Sequence, residues 1–266
     1  MSRRITSREK RFSKFHTDID YLDLKNEQLV IRGKNLVSMV REMDFTDSIY
    51  HTLLQKTPTA IEKRLLNASM VSFHTGFQAY PPTILFPRIA ISTGASVTQA
   101  LAAGYASSGE LHLGAIENAM KEYLSLERRV GEDVYADTRE LSRKKINRHQ
   151  MLFGFGHPLL KQDPRPAVLR EVTLKCGYES KYLTMYDAIR DELYALKHKY
   201  PNIDGINGAI LLSLGFKPEH GVGLFLLSRT VGMLAHISEE LKRPAWSAWS
   251  SLIARYIPGM EEKYGT

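Results

Sequence analysis

Apolar residues along most of this chain recur at the three- and four-residue spacing that places them on one face of a helix. A helix that begins at Thr59, just after Pro58, would align Ile61, Leu65, Leu66 and Met70. The same spacing, or an apolar composition on all sides, predicts further helices over residues 35–56, 114–130, 165–176, 183–199, 205–215 and 219–240. The last two segments are apolar on nearly every side, which predicts that they are buried.

Two other segments have distinct patterns. Residues 27–33 form a β-prone run that ends at Gly33, and no later segment carries a strand signal of comparable strength. Residues 88–107 are dense in alanine, glycine and serine, so helices there would approach another group closely. Tight helix packing and a bound ligand both account for that composition. The predicted fold class is therefore all-α.

Composition excludes several classes of protein. The chain has 266 residues, 43% of them hydrophobic and 24% charged, which excludes a disordered chain and a disulfide-stapled miniprotein. Its one cysteine, Cys176, has no internal partner for a disulfide, and no Cys/His cluster has zinc spacing, so we expect no metal site. These features predict a reducing, cytoplasmic location.

Positive charge is concentrated at the N-terminus. Of the formal net charge of +7, the first fourteen residues contribute +5, from six Arg and Lys against Glu9. We expect residues 1–26 to form a mobile basic arm, and the small charge of the remainder predicts no nucleic-acid partner. The longest apolar stretch, Val222–Ile237, contains Arg229 and is too short to cross a bilayer, so we expect a soluble protein without membrane contact.

Three polar loops between apolar helices are candidates for chemistry, because burying unpaired polar groups is costly. Glycines flank His112 at the start of a helix, whose dipole would keep the imidazole neutral. The backbone N–H groups of Gly154 and Gly156 adjoin His157 and would allow a ligand or phosphate to approach closely. Asp204 directly precedes an apolar helix. The alternatives are a structural histidine, an ordinary turn and an N-cap carboxylate.

In this order, the loops resemble the motifs of the citrate synthase superfamily, and most closely those of its short members, the citryl-CoA lyases and the lyase module of ATP-citrate lyase. The family pattern His-Gly-Gly-Ala-x-Glu is similar to His112–Glu117. The patterns Gly-Phe-Gly-His-Arg…Asp-Pro-Arg and Asn-Val-Asp-Gly are similar to Gly154–Arg165 and Asn202–Gly205. The pattern Arg-x-x-Gly-x-x-Ala-His-x-x-Glu is similar to Arg229–Glu239, and the Arg-Pro motif follows at Arg243.

The resemblance covers about residues 29 to 258 and implies a fold. We expect a citrate-synthase-like helical domain of the short form over residues 27–266. It would consist of a large helical core and a smaller helical subdomain on the CoA side, formed by about residues 115–225.

The resemblance also implies residue roles. Asp204 would remove or return the α-proton of the acetyl thioester, a neutral His112 would hydrogen-bond the enolate oxygen, and His157 would exchange a proton with the keto or hydroxyl oxygen. Gly154 and Gly156 would contact coenzyme A. Substrate would be bound by His74, Arg165, Arg229 and Arg243, the last one in the site of the neighbouring subunit of a homodimer or higher homo-oligomer.

The arginines also have simpler interpretations. Arg165 and Arg243 would equally suit surface charges. Arg229 lies within an apolar helix and needs an anionic partner, which a ligand carboxylate or Glu239 would supply.

The chain departs from the family pattern at three places. Leu113 stands where the family favours glycine, and Pro158 stands where an arginine usually follows the loop histidine. Residues 73–82 resemble the family's Asp-His-Gly…Pro-Pro but lack the aspartate and contain two additional residues, and His74 is chosen as the matching histidine.

Three functions follow from these observations. The first is a lyase that cleaves citryl-CoA, or a related 3-hydroxyacyl-CoA, to acetyl-CoA and oxaloacetate. The second is a citrate or 2-methylcitrate synthase, and the third is an inactive CoA-binding module. The short chain and the spacing from His157 to Arg165 favour the lyase. The expected ligands are a CoA thioester and a di- or tricarboxylate, with no tightly bound cofactor.

Overall fold

The computed structural model describes residues 17–74, 78–110, 112–157 and 159–253. The chain divides into two compact units, one up to Lys63 and one from Arg64. Twelve helices and one small sheet make up the described secondary structure, which confirms the all-α prediction. The predicted boundary at residue 27 and the predicted subdomain over residues 115–225 stay predictions.

The first unit contains a three-stranded antiparallel sheet. Its strands are β1 (Asp20–Asp23), β2 (Gln28–Ile31) and β3 (Lys34–Asn35), in that order across the sheet. Strand β2 is the predicted β-prone run. Strand β1 lies within the predicted mobile arm, so the last part of that arm is an ordered strand instead. Residues 20–23 form a strand because they pair with β2, and not because of their own composition. The turn between the two strands is held by the Asp23 carboxylate, which accepts backbone N–H groups. Residues 1–16 of the arm lie outside the described residues.

The helix predicted over residues 35–56 is two helices, α1 (Leu36–Glu42) and α2 (Phe45–Leu54). Asp44 separates them, because its side chain accepts the N–H of Asp47 while the Asp47 side chain accepts the N–H of Asp44. Helix α3 (Ala60–Ser72) begins after Thr59, as predicted, with a reciprocal pair of bonds between Thr59 and Glu62.

In the second unit, all of the described elements of regular secondary structure are helices. The predicted segment 88–107 is divided between two helices, and the helices at 134–147 and 247–253 were not predicted. The helices that follow α3 are α4 (Pro82–Ser92), α5 (Val97–Ala106), α6 (Gly114–Glu127), α7 (Val134–Asn147), α8 (Arg165–Lys175), α9 (Lys181–Lys197), α10 (Ile203–Ser213), α11 (Pro218–Glu240) and α12 (Ser247–Ile253).

Helix α10 forms the centre of this unit. It packs against α6, α8, α9 and α11, and each of its residues except Asp204 and Ser213 is buried. The burial predicted for residues 205–215 is confirmed for 205–212 and Leu214, whereas Ser213 is partly buried and Gly215 is exposed. The small residues of 88–107 serve helix packing, because a Cβ at Gly104 would lie 2.8 Å from Pro87 Cγ and 2.9 Å from Met233 Sδ.

Helix α11 is the second apolar helix and is only partly buried. Its 23 residues make it long and apolar enough, by length and composition, to cross a membrane, so the expectation that this stretch is too short was wrong. Length and composition are weak criteria here, because core helices of soluble proteins also meet them. Helix α11 packs against α4 and α6, and its Arg229 is buried, which is the arrangement of a core helix.

Candidate functional site

A cavity of about 450 Å3 brings the three predicted loops together. It is lined by His112, His157 and Asp204 and also by Arg165 and Arg229. Five of the nine predicted site residues therefore share one space, although they are separated by up to 117 positions in the chain. The other lining residues are Tyr80, Pro81, Pro82, Leu113, Ala115, Leu159, Asn202, Ile203 and Phe225.

Backbone hydrogen bonds join the loop that carries His157 to the loop that leads into α10, the helix of Asp204. The Asn202 N–H donates to the Gly154 carbonyl at 3.0 Å, and the Gly156 N–H donates to the Tyr200 carbonyl at 2.8 Å. The Asn202 side chain closes the contact by donating to the Gly156 carbonyl at 2.7 Å. The relative positions of His157 and Asp204 are therefore set by main-chain bonds, which side-chain rotation does not change.

Gly154 and Gly156 have positive φ angles of 85° and 96°, which suit glycine. Their observed contacts join the two loops, and the Gly156 N–H is already used for this purpose. Both line a neighbouring cavity that also contains Lys197 and Lys199, and not the cavity of the two histidines. Their role toward coenzyme A stays a prediction.

Asp204 is not the N-cap of its helix. Asn202 is, and its side-chain oxygen accepts the Asp204 N–H at 2.9 Å. Asp204 occupies the first turn of α10, where its Oδ1 is buried and has no hydrogen-bond partner among the described residues. Burial raises the pKa of this carboxyl to about 7, although Arg165 and Arg229 oppose the rise. A carboxyl with that pKa exchanges protons readily near neutral pH.

His112 lies just before α6, with its Nε2 3.3 Å from Thr83 Oγ1. Burial, with a smaller contribution from the Arg229 charge, lowers the pKa of this imidazole to about 4. His112 is therefore neutral at pH 7, as predicted, but the causes are burial and Arg229 rather than the helix dipole alone. Arg229 donates to the same Thr83 Oγ1 at 3.0 Å, so one hydroxyl connects His112 to the buried arginine.

Leu113 adopts a backbone conformation that suits glycine. Its φ is 70° and its ψ is −32°, and its side chain is buried. A non-glycine residue in such a region is strained by about 1–3 kcal/mol. This conformation explains why the family favours glycine at this position. In this chain the strained residue is a leucine, and its side chain lines the cavity.

His157 is held by the backbone that follows it. Its Nδ1 accepts the N–H groups of Leu159 and Leu160 at 3.1 and 2.9 Å. These bonds require an unprotonated Nδ1 and so place the proton of the neutral ring on Nε2. Burial lowers the pKa of His157, partly offset by Asp163. Pro158, which stands where the family has an arginine, lies outside the described residues.

Arg229 is buried beside the catalytic candidates without a carboxylate partner among the described residues. It donates to the Phe73 carbonyl at 2.8 Å, and its guanidinium lies 5.1 Å from the centre of the Phe225 ring. Glu239, considered as its partner, instead binds Arg88 and Arg243. Burial and the nearby Arg165 lower the pKa of Arg229 to about 10, which leaves it charged at pH 7. An anionic ligand would supply the missing partner.

Arg165 is not a simple surface charge. Its Nε and Nη2 donate to the two carboxylate oxygens of buried Asp163 at 2.9 and 2.7 Å, and its Nη1 donates to the Ser72 carbonyl at 3.3 Å. Asp163, which the sequence analysis did not assign, thus orients this arginine at the cavity wall.

Besides the two glycines, two further predicted site residues lie outside this cavity. His74 lines a separate groove between α3 and α8, and the neighbouring residues 75–77 lie outside the described residues. Arg243 is half-exposed, pairs with Glu239 at 2.8 Å and lines a different cavity with Arg88 and His236. Within one chain, neither joins His112 and Asp204. The contribution of Arg243 to a neighbouring subunit stays a prediction.

Thr83 and Arg88 are two residues near these sites for which no role was predicted from the sequence. Thr83 follows directly on the Pro-Pro pair of the family pattern, so its position next to a recognised motif was the available signal. Buried Arg88 donates to His236 Nδ1 at 2.9 Å and pairs with Glu240 at 2.5 Å. No local pattern reveals this, because the partners lie about 150 residues further along the chain.

Comparison with known proteins places this geometry in a family. Residues 83–255 match the family model described as the citrate synthase C-terminal domain. The citrate synthase of Saccharolobus solfataricus is 28% identical over 207 residues, which are 74% of this chain and 53% of that protein. The chain spans about half the length of the curated relatives it matches.

Solved structures agree with this assignment. The citryl-CoA lyase from Hydrogenobacter thermophilus has a TM-score of 0.79 at 26% identity, over 88% of this chain and 90% of that one. The ATP citrate lyase from Methanothrix soehngenii, solved with citrate and coenzyme A, has a TM-score of 0.76 at 19% identity, over 96% of this chain and 43% of that one. The latter likeness shows the fold alone. The motifs, the helical fold and the matched family model together show that this chain belongs to the citrate synthase family.

Proposed function

We propose that this protein cleaves citryl-CoA, or a related 3-hydroxyacyl-CoA, to acetyl-CoA and oxaloacetate. The observation that carries the proposal is Asp204, whose buried Oδ1 has no partner among the described residues and faces the same cavity as two histidines and two arginines. A buried carboxyl with a pKa of about 7 is poised to exchange the proton of a weak carbon acid.

Cleavage needs a proton acceptor at the substrate hydroxyl and a proton donor at the carbon that leaves. His157, once its ring proton has moved to Nδ1, takes the hydroxyl proton at Nε2. The bond between the hydroxyl-bearing carbon and the thioester α-carbon breaks, and the electron pair of that bond forms the enolate of acetyl-CoA. Protonated Asp204 then protonates the enolate carbon. Neutral His112 donates a hydrogen bond to the thioester oxygen while negative charge is present there. The proton count balances, because Asp204 loses the proton that His157 gains.

The substrate carboxylates would be bound by the two arginines of the cavity. Arg229 is buried, charged and lacks a carboxylate partner in the described part of the chain, and a planar guanidinium binds a carboxylate through paired hydrogen bonds. Arg165 is paired with Asp163, so it contributes positive charge at the cavity wall.

The likeness to the citryl-CoA lyase of Hydrogenobacter thermophilus supports the lyase, because the two structures match over 88% of this chain and 90% of that one.

A condensing citrate or 2-methylcitrate synthase is the second candidate. The sequence relatives bear that name, and the resting tautomer of His157, with its proton on Nε2, suits donation to a keto oxygen. To accept a hydroxyl proton at Nε2, His157 must first transfer its ring proton to Nδ1, which breaks the bonds from Leu159 and Leu160.

One experiment separates these functions. The protein is incubated with citryl-CoA, and separately with acetyl-CoA and oxaloacetate, and the products are identified by mass. We expect cleavage of citryl-CoA without ATP and in the presence of a chelator. Condensation alone would establish the synthase, and the absence of both reactions with retained CoA binding would establish the inactive module. Asp204→Asn must abolish the reaction, while Asp191→Asn, which changes a carboxylate outside this cavity, must not.

A further inference from the structure

Backbone carbonyls at the end of helix α3 accept hydrogen bonds from both arginines of the cavity. The Ser72 carbonyl accepts Arg165 Nη1 at 3.3 Å, and the Phe73 carbonyl accepts Arg229 Nε at 2.8 Å. The Met70 carbonyl accepts the hydroxyl of Ser228, the neighbour of Arg229 on α11. Carbonyls at the end of a helix have no partner within the helix and carry partial negative charge, so they attract cations.

Asn207 connects this turn to the helix that carries Asp204. It lies three residues after Asp204 on α10 and is fully buried. Its Nδ2 donates to the Ile203 carbonyl and to Ser72 Oγ, both at 3.0 Å, and its Oδ1 accepts the Ser69 hydroxyl. One amide thus binds the first turn of α10 and two residues in the last turns of α3.

We propose that Asn207 is a positioning residue that holds Asp204 in register with the arginines Arg165 and Arg229. The inference rests on the proposed function, in which Asp204 serves the α-carbon while the arginines bind the carboxylates of the same substrate. Misplacement of a reacting group by about 1 Å costs about 100-fold in rate. No side-chain hydrogen bond joins Asp204 to either arginine among the described residues, so their register depends on how α10 is linked to the end of α3, and the Asn207 side chain forms that link.

A neutral amide suits this position because it offers both donors and an acceptor without adding charge beside Asp204. A carboxylate in its place would face the Ile203 carbonyl and repel Asp204. Leucine keeps the branch at Cγ but is larger than asparagine and forms none of the three bonds. Asn207→Leu therefore removes all three hydrogen bonds, and Ser69→Ala, which adds no volume, separates their loss from overpacking.

The test compares Asn207→Leu and Ser69→Ala with the matched control Ser213→Ala. Ser213 is a polar residue at the opposite end of α10, where its hydroxyl bonds to the Ala209 carbonyl and to Ser180 Oγ. Citryl-CoA cleavage is measured as kcat and KM across pH, together with Tm and calorimetric binding of citrate. Ser69→Ala removes only the donor to Asn207 Oδ1 and is the milder variant if Asn207→Leu does not fold.

We expect Asn207→Leu to lower kcat/KM by about 10- to 100-fold and to weaken citrate binding about tenfold. We also expect the basic limb of its pH profile to move below 7, because a loosened first turn of α10 admits water to Asp204. Ser69→Ala should show the same changes to a smaller degree. Ser213→Ala should lower Tm while kcat/KM stays within twofold.

The outcomes separate the two proposals. If the wild-type protein cleaves citryl-CoA and folded Asn207→Leu or Ser69→Ala matches it in kcat/KM and pH profile, the positioning role is wrong and the proposed function stands. If the wild-type protein binds citrate but cleaves nothing, the lyase proposal fails, and the citrate affinity of the variants still decides the role of Asn207. Absence of both cleavage and citrate binding would overturn both.

Discussion

Gly154 and Gly205 meet so closely that a Cβ on either one would overlap the backbone of the other. Gly154 belongs to the loop of His157, and Gly205 follows Asp204, so this contact sets how near the two candidate proton-transfer residues lie. The buried Tyr123 hydroxyl also donates to the Gly205 carbonyl at 2.9 Å, which fixes the start of α10 to α6.

Gly205→Ala should therefore separate the two loops. We expect kcat for citryl-CoA cleavage to fall by more than about tenfold, with a loss of stability of about 1–3 kcal/mol from the forced shift. Gly223→Ala is the control, because a Cβ at this helical glycine meets nothing within 4 Å. Enzyme assays and thermal unfolding measure both effects. A Gly205→Ala protein with the wild-type kcat would show that the loops tolerate a wider spacing.

Asp204→Asn should remove activity yet stabilise the protein at alkaline pH. The folded-state pKa of about 7 lies above the ordinary value of 3.8, so the folded protein holds this proton more tightly than the unfolded chain does. Stability from this group is complete below pH 4 and is lost as pH rises to about 7. Asparagine is never charged, and Asn202 still caps the helix. We expect Asp204→Asn to gain about 2–4 kcal/mol over wild type at pH 8 and nothing at pH 4, by denaturant unfolding. An equal change at both pH values would contradict the raised pKa.

The pH profile of cleavage should fall on both sides. Cleavage needs protonated Asp204 and neutral His157, so kcat/KM declines above the Asp204 pKa of about 7 and below the lowered pKa of His157. Because cleavage releases no net proton, the ratio of kcat/KM for cleavage to kcat/KM for condensation does not change with pH. The reverse condensation to citryl-CoA must therefore show the same two declines. Initial rates from pH 5 to 9 in both directions test this. A basic limb near pH 4 would mean that Asp204 is solvated in the working enzyme.

Leu113→Gly and Leu113→Ala should differ although both remove the same buried side chain. Each loses about 2–5 kcal/mol of burial, but glycine also releases the strain at φ 70°, while alanine keeps it. We expect Leu113→Gly to be the more stable variant by about 1 kcal/mol and to align His112 better, with the higher kcat/KM. Thermal unfolding and cleavage assays compare the two. Equal stability would show that the strain at this residue is negligible.

Arg243 should act across subunits. Within its own chain it pairs with Glu239 and lies outside the cavity of Asp204, so a role in binding substrate requires a second copy. Asp204→Asn and Arg243→Ala subunits, each inactive alone, should regain activity when co-expressed, because one site of each hybrid dimer holds neither substitution. Tagged hybrids are purified and assayed. Verified hybrids without recovery, or a fully active monomer, would place Arg243 outside the site.

Local patterns predicted most of the helices and the loops between them. The helices α6, α8, α9, α10 and α11 begin and end close to the predicted residues, because apolar spacing and capping residues act over a few positions. The same local rules placed His112 and His157 in loops and Asp204 at the start of a helix. The order of the motifs indicated the family that the comparisons confirm.

Some local features were misread although the signals were present. Asp44 and Asp47 form a capping box that divides the predicted helix over residues 35–56, and Asn202 rather than Asp204 caps α10. At α10 the nearby residues Asn202 and Asp204 both suit the capping role, and the choice between them depends on the direction of the chain as it enters the helix.

The sequence by itself determined the helical class and the residue types of the site, because periodicity and capping act between near neighbours. Only the tertiary structure decided which of those residues meet. It joined His112 to Thr83 and Arg229, and it left His74 and Arg243 outside the cavity. It also gave Asp204 its pKa of about 7, since desolvation depends on the whole packed surroundings of a carboxyl and not on its sequence neighbours.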